Sequence, residues 1–342
     1  MTDQKAELRY LDLKNDICRQ IYLGTYEDGG HIPSERQLAA DYNVSRITVR
    51  KALEQLEEEQ LIRREVGNGT ILQYRNRGNS TPLDILTLVA PSKNPFFAQF
   101  IAHFQQIAWE QGALLLYVEV PENSTLEDCL FRLYQRDIRN AVIWPDDQGL
   151  QMEKLLRLRS IGMNLVFFDT DDGFPYGDCV HLDNREAISR LLHGAGETCE
   201  SCVYVGWDKL DIANVRKREE AFRFLKPEGT VIHVPWRRDR QIRNEDLEAV
   251  LTQLPEVEKT MLLCGTGEIG QQLAALLWER GAIPGKLSVV DNFEGSGKYP
   301  VSIYEQDLQE MARIIFEQLK KQVRAGNLWQ ADRIAVAGIY RQ

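Results

Sequence analysis

The sequence predicts an α/β protein, in which an N-terminal winged helix-turn-helix precedes a two-lobed, doubly wound α/β domain. Three observations carry this expectation. Three amphipathic segments and a glycine-punctuated hairpin occupy residues 11–73. From Ile85 onward, apolar strands alternate with amphipathic segments, the pattern of parallel sheets covered on both faces. About ten such strands in about 260 residues are many for one open sheet, which favours two lobes with a cleft between them.

In the first part, Leu11, Leu13, Ile17, Ile21 and Leu23 space out a first helix, closed by Gly24 and the Asp28-Gly29-Gly30 turn. Ser34 is placed to cap a second helix, with Glu35 and Arg36 in its first turn and Leu38, Ala39 and Tyr42 on one face. Ser45 caps a third, whose buried stripe is Val49, Ala52, Leu53 and Leu56. Arg46 and Arg50 lie four apart on its exposed face. Strands at Leu61–Val66 and Thr70–Gln73 flank Gly67-Asn68-Gly69, a hairpin with glycines where positive φ is needed. These boundaries give an N-terminal domain over 1–74, a polar linker over 75–84 and a second domain over 85–342.

Strands are expected at Ile85–Ala90, Ala113–Val118, Asn140–Trp144, Leu165–Asp169, Cys179–Leu182, Cys202–Val205, Thr230–Val234, Thr260–Cys264 and Leu287–Val290. Phe97–Gln111, Arg185–Gly194 and Ile269–Gly281 are among the helices between them.

Composition narrows the function classes. The 342 residues are 43% hydrophobic and 27% charged, with no run of eighteen apolar residues and an N-terminus too charged for a signal peptide. The expected location is therefore cytoplasmic. Six scattered cysteines suit a reducing compartment, and Cys199 with Cys202 lacks a second pair at zinc-finger spacing. The net charge of −10 is unevenly distributed. Residues 1–77 hold twelve Lys/Arg against thirteen Asp/Glu, and Tyr42 to Lys51 carries three positive charges and no negative one. A local basic face of this kind is compatible with DNA.

The stretch from Ile32 through P-S-E-R-Q-L-A and V-S-R-I-T-V-R-K-A-L to Ile62, closing on Arg63-Arg64 and Gly67-x-Gly69-Thr70, resembles the GntR family of bacterial transcription factors. The resemblance runs through residues 9–73. It implies base reading by Arg46 and Arg50, whose guanidinium forks match guanine O6 and N7. By the same resemblance Arg36 contacts phosphate or a base edge, Ser45 and Thr48 suit phosphates, and Gly69 brings the wing to the minor groove. Each arginine can also be an ordinary solvated charge, Arg36 can pair with Glu35 or Asp41, and Ser45 is an N-cap in either case.

From about residue 85 the chain is similar to the periplasmic-binding-protein-like (type I) effector domain of the LacI family, as in arabinose-type repressors that join these two modules. The blocks are Val89-Ala-Pro-Ser-Lys-Asn-Pro-Phe-Phe, Asp137 to Trp144, Val166 to Asp169, His181 to Ala187, Val203 to Gly206 and Arg218 to Phe222. In such folds ligands lie beyond the carboxyl ends of strands. A sugar-like effector needs charged groups for its hydroxyls and an aromatic face for its C–H surface. The candidates are Ser92, Phe96, Phe97, Asp169, Arg218, Trp236 and Asp291, around a ligand held between the lobes. Competing structural roles are core packing for Phe97, stacking on Arg237 or Arg238 for Trp236, a turn for Asp169 and solvation for Arg218. The chain departs from the family at Cys264-Gly265-Thr266-Gly267-Glu268, where Thr266 and Gly267 replace an Asn and an Asp. It also lacks the family's hinge helix.

Nucleophile elbow, phosphate loop, dinucleotide fingerprint and metal-ligating pairs are all missing from the sequence, and the five histidines have no partner at catalytic spacing. The expectation is a non-enzymatic regulator without cofactor or metal, most simply a repressor of carbohydrate-metabolism genes. It would act as a homodimer on two-fold related half-sites, with the resemblance placing dimer contacts on helices such as Phe97–Gln111, through Phe100, Ile101, Phe104 and Ile107. Those side chains can equally be core. A purine-like effector, stacked on Phe96, Phe97 and Trp236, and a sugar-modifying enzyme are the alternatives.

Overall fold

The computed structural model describes residues 2–65, 67–73, 83–91, 95–145, 149–193, 199–237, 241–254 and 256–342. Helix α1 spans Thr2–Leu23, α2 Glu35–Asp41 and α3 Arg46–Glu58. Both expected caps form: Ser34 Oγ accepts the Gln37 N–H at 3.3 Å, and Ser45 Oγ accepts the Thr48 N–H at 3.1 Å. The α3 stripe of Val49, Ala52, Leu53 and Leu56 is fully buried. In α1, Leu13, Ile17 and Ile21 are buried, but Leu11 and Leu23 are exposed. At 3.6 residues per turn those two fall about 100° or more round the axis from the stripe. The wing is β2 (Ile62–Glu65) and β3 (Gly69–Leu72), antiparallel, with Val66 outside the described residues. A two-residue strand β1 (His31–Ile32) adds to β3, giving the order β1-β3-β2.

The remainder forms two six-stranded sheets. One has the order β14-β8-β7-β6-β4-β5, from β4 (Ile85–Val89), β5 (Leu114–Val118), β6 (Asn140–Ile143), β7 (Asn164–Phe168), β8 (Asp178–Leu182) and β14 (Arg333–Val336). The other has the order β10-β9-β11-β12-β13-β15, from β9 (Ser201–Trp207), β10 (Thr230–Val234), β11 (Thr260–Cys264), β12 (Lys286–Val290), β13 (Val301–Glu305) and β15 (Ile339–Arg341). The nine expected strands are all present, while β13, β14 and β15 add to them. β13 pairs with β15 antiparallel, closing the second sheet with the C-terminus of the chain.

The chain divides into two compact units. Unit 1 holds Met1–Phe168, Asp172–Cys179 and Ala312–Arg333; unit 2 holds Asp169–Asp171, Val180–Met311 and Ile334–Gln342. In unit 1 the first sheet is covered by α4 (Pro95–Glu110), α5 (Leu126–Gln135), α6 (Met152–Ser160) and part of α11 (Leu308–Ala325). Phe100 and Phe104 do not face outward as a dimer contact would require. Both are fully buried, and Phe100 stacks on Phe168 with centroids 4.0 Å apart. Among the described residues, the large apolar side chains exposed nearby are Trp109 at 74% and, on the edge strand β5, Leu114 at 60% and Leu116 at 39%.

Unit 1 also contains the winged helix, which packs directly on α5 and α6. Besides its stripe, α1 buries Cys18 and Tyr22 on a second face. The Tyr22 ring stacks on Phe131 at 4.3 Å, and its hydroxyl donates to Asp128 at 2.6 Å. Cys18 Sγ meets the Tyr134 hydroxyl at 3.3 Å, and Arg157 donates to the Tyr22 carbonyl at 3.5 Å. One apolar core runs without a break from Leu13 and Leu53 to Leu130, Ile143 and Leu165. Truncating Tyr22 to alanine removes a buried ring from this junction. We expect a loss of about 3–5 kcal/mol, read as an earlier midpoint in urea unfolding; an unchanged midpoint would mean that the contact carries no stability.

Candidate functional site

In the winged helix, exposed side chains of α2 and α3 gather around one carboxylate. Glu35 Oε2 lies 3.4 Å from Arg50 and 3.9 Å from Arg46, so a single acid holds both arginines of the exposed α3 face. Such half-exposed pairs are individually weak, and their value here is orientation. Glu35 thus pairs across to α3, and Asp41 accepts from Gln37 at 3.0 Å, leaving Arg36 exposed on the first turn of α2. Ser45 and Thr48 share a 2.9 Å hydroxyl contact at the N-terminus of α3. Gly69 opens β3 at the wing tip with φ +85°, a conformation that side chains rarely adopt. From the wing, Arg64 donates to the Arg50 carbonyl at 3.3 Å and tethers the hairpin to α3. Sequence reasoning assigned no role to Glu35 beyond an Arg36 partner and none to Arg64, because both act across turns. It also passed over Ile47, exposed beside Arg46 on α3.

In unit 2 the polar site sits at the carboxyl edge of the second sheet. The strand order runs outward from β9 in both directions, to β10 on one side and β11 on the other, which makes the β9–β11 junction a topological switch point. Helix α8 (Ala213–Leu225) follows β9 and carries Arg218, which is almost completely buried. Its Nε donates to Asn184 Oδ1 at 3.0 Å, and its Nη1 donates to the Gly265 carbonyl at 2.8 Å and to Asp291 Oδ2 at 3.0 Å. Burial works against the charge, but the Asp291 and Asp169 carboxylates outweigh it and move the guanidinium pKa upward. Asn214, one turn before Arg218, accepts from Asn184 at 3.2 Å and donates to the Asp169 carbonyl.

Asp169 and Asp291 both end strands in the left-handed region, at φ +59° and +69°. Aspartate is among the few residues that enter it at modest cost. Asp291 Oδ1 and Thr266 Oγ1 are shielded from water, and neither has a hydrogen-bond partner among the described residues. Glycines keep the floor thin: a Cβ on Gly265 would fall 2.3 Å from the Tyr204 hydroxyl, and one on Gly267 would fall 2.8 Å from the Asn292 carbonyl.

Asp169, Arg218 and Asp291 therefore come together. Trp236 lies along the same sheet edge. Its ring meets Trp207 edge-on at 5.4 Å, where stacking on Arg237 or Arg238 was the expected alternative, and its backbone N–H donates to Asp208 Oδ1 at 2.7 Å. It follows β10, two strands along the same edge from β11, or about 10 Å at sheet spacing. Ser92 lies outside the described residues, as do the Phe96 and Phe97 side chains and the segment 74–82. Asn184, Asn214 and Thr266 complete the site beyond the sequence candidates. Asn214 was findable as the residue four before Arg218 on one helix face.

A groove beside α10 (Gly267–Glu279), lined by Leu277, Trp278, Ile283 and Tyr299, opens at the opposite end of the strands and is apolar. Burial pushes the Cys202 thiol up to about 11, which keeps it protonated at neutral pH. Among the described residues, no three His, Cys, Asp or Glu side chains are placed to hold a metal ion, and no helix is long and apolar enough to cross a membrane.

Known proteins divide along the same line. Residues 9–72 match the model of bacterial regulatory proteins of the gntR family. Over 74 residues the chain is 36% identical to the probable fructoselysine utilization operon transcriptional repressor of Escherichia coli (strain K12), covering 22% of this chain and 30% of that protein. The chain thus spans less than a third of that relative's length. Among solved structures, a LacI transcriptional regulator from a Rhodococcus species superposes with TM-score 0.62 at 15% identity, over 75% of this chain and 96% of that one. The Cra transcriptional dual regulator from Pseudomonas putida, in complex with fructose 1-phosphate, gives 0.63 at 16%, over 76% and 99%. Residues 9–72 are therefore a helix-turn-helix domain of the gntR family, and the α/β part that follows has the fold of LacI-family regulators.

Proposed function

We propose that this protein is a sequence-specific transcriptional repressor of carbohydrate-metabolism genes, released or engaged by a sugar-like effector. Residues 1–74 read DNA, with Arg46 and Arg50 on base edges, Arg36, Ser45 and Thr48 along the backbone and Gly69 at the wing. Residues 85–342 bind the effector and pair two copies, so that two winged helices meet two-fold related half-sites. Trp109 and Leu114 are the apolar side chains that support pairing at the β5 edge. The protein works in the cytoplasm, without a catalytic step.

The observation that carries the effector reading is the buried Arg218 at the switch point, beside two polar oxygens that lack partners. A buried guanidinium, carboxylate oxygens and a hydroxyl form the donor and acceptor set that sugar hydroxyls satisfy. The names of the relatives, which include a fructoselysine repressor and a regulator holding fructose 1-phosphate, point to the same class.

Titration calorimetry of the full chain with mono- and oligosaccharides, with nucleobases as controls, tests the reading. One sugar should bind and change operator affinity by about 5–150-fold, the usual range of coupling. Binding by a nucleobase alone, or turnover of any sugar, would refute it.

A further inference from the structure

We propose that Ile47 is a base-reading residue that seats the C5 methyl of a thymine in the major groove, next to the bases addressed by Arg46 and Arg50. This rests on the DNA-binding reading above. Ile47 is 79% exposed, far beyond Leu23 at 52% and Leu11 at 36%, the other exposed large hydrophobics among the described residues of the winged helix. The fold does not ask for it. The buried stripe of α3 centres on Val49, Ala52, Leu53 and Leu56, and at 3.6 residues per turn Ile47 points about 170° away from that centre. The same geometry puts Arg50 about 60° and Arg46 about 100° from Ile47, so all three share the outward face near the N-terminus of the helix.

The surroundings select the occupant. From Tyr42 to Lys51 the chain carries three positive charges and no acid. Glu35 steadies both arginines from the α2 side of this face. An isolated apolar group framed by cations suits a polyanion that offers a small apolar feature, and in the major groove that feature is the thymine methyl. A protein partner for Ile47 would have to bury the arginines as well. Isoleucine is stiff at χ1, so its side chain is already placed before docking and loses little freedom there. The step read is accordingly a T beside a guanine, once in each half-site.

The test begins with selection of DNA from a random pool by the full-length protein. Enriched sequences should share a T at a fixed step from a G. Replacing that T by uracil removes only the methyl, and should weaken wild-type binding about three- to fivefold, the worth of one buried methyl group. The Ile47→Ala protein should bind thymine and uracil probes equally. The inference is overturned if the wild type ignores methyl removal at every T, or if Ile47→Ala keeps the full effect. A protein that enriches no sequence overturns the DNA-binding reading together with this inference, whereas the first two results leave that reading standing.

Discussion

Replacing Arg46 and Arg50 together with alanine is expected to abolish sequence discrimination. Each bidentate arginine–guanine pair contributes about 1–3 kcal/mol, so the pair is worth about 2–6 kcal/mol if the two act independently. They will not be fully independent, because both lean on Glu35, and losing one lets the carboxylate settle on the other. The single variants should therefore sum to a value different from the double. Fluorescence anisotropy against the selected operator and a scrambled duplex separates the two kinds of contact. Base readers lose the operator and keep the scrambled affinity, whereas phosphate contacts weaken both duplexes alike. Full operator affinity in the double variant would remove α3 from the interface.

The second large effect is expected at Arg218. Alanine there leaves the Asp291 carboxylate, only 21% exposed, without its counter-charge and strips Asn184 and the Gly265 carbonyl of donors. Removing one partner of a buried pair costs about 3–5 kcal/mol. The same change removes the central donor of the proposed effector site. Thermal unfolding should show a lower midpoint for Arg218→Ala, and calorimetry should show no sugar binding. The double change Arg218→Met with Asp291→Asn separates stability from recognition, because it leaves no uncompensated charge. It should recover most of the midpoint without recovering the ligand. Wild-type sugar affinity in that variant would place the site elsewhere.

The winged helix was readable because its determinants are local. Caps, a four-residue stripe and glycines at the turn fixed α2, α3 and the hairpin within a few residues. Most of the nine strands were readable for a similar reason, since a strand buried on both faces announces itself as a continuous run, while β5 and β10, at the sheet edges, are partly exposed. β1 has two residues and carries no period at all. β14 and β15 are short segments that join the two sheets only as partners of β8 and β13, so their identity comes from the neighbour. The proposed effector site shows the same contrast. Asp169, Arg218 and Asp291 were visible as charges at strand ends and in a resemblance block. Trp236 was visible as an aromatic at a strand end, but its place along the sheet edge depends on strand order, which no local pattern encodes and which sets β9 between β10 and β11. Phe100 and Phe104 showed an apolar stripe whose direction only the sheet beneath could decide.

The seating of α1 on α5 and α6 also has a thermodynamic consequence. Because Tyr22, Phe131 and Tyr134 belong to one core with Leu53 and Ile143, the winged helix and the part of the first sheet that shares this core are expected to unfold as a single cooperative body. Operator DNA, which stabilises the folded state by about 2.7 kcal/mol at a hundredfold excess over Kd, should then slow amide exchange in β4, β6 and β7, strands outside the winged helix. The same core makes the 75–84 boundary a poor place to divide the chain. A fragment beginning there bares Phe131 and the apolar side of α5 to water, so the α/β part is best handled with its winged helix attached.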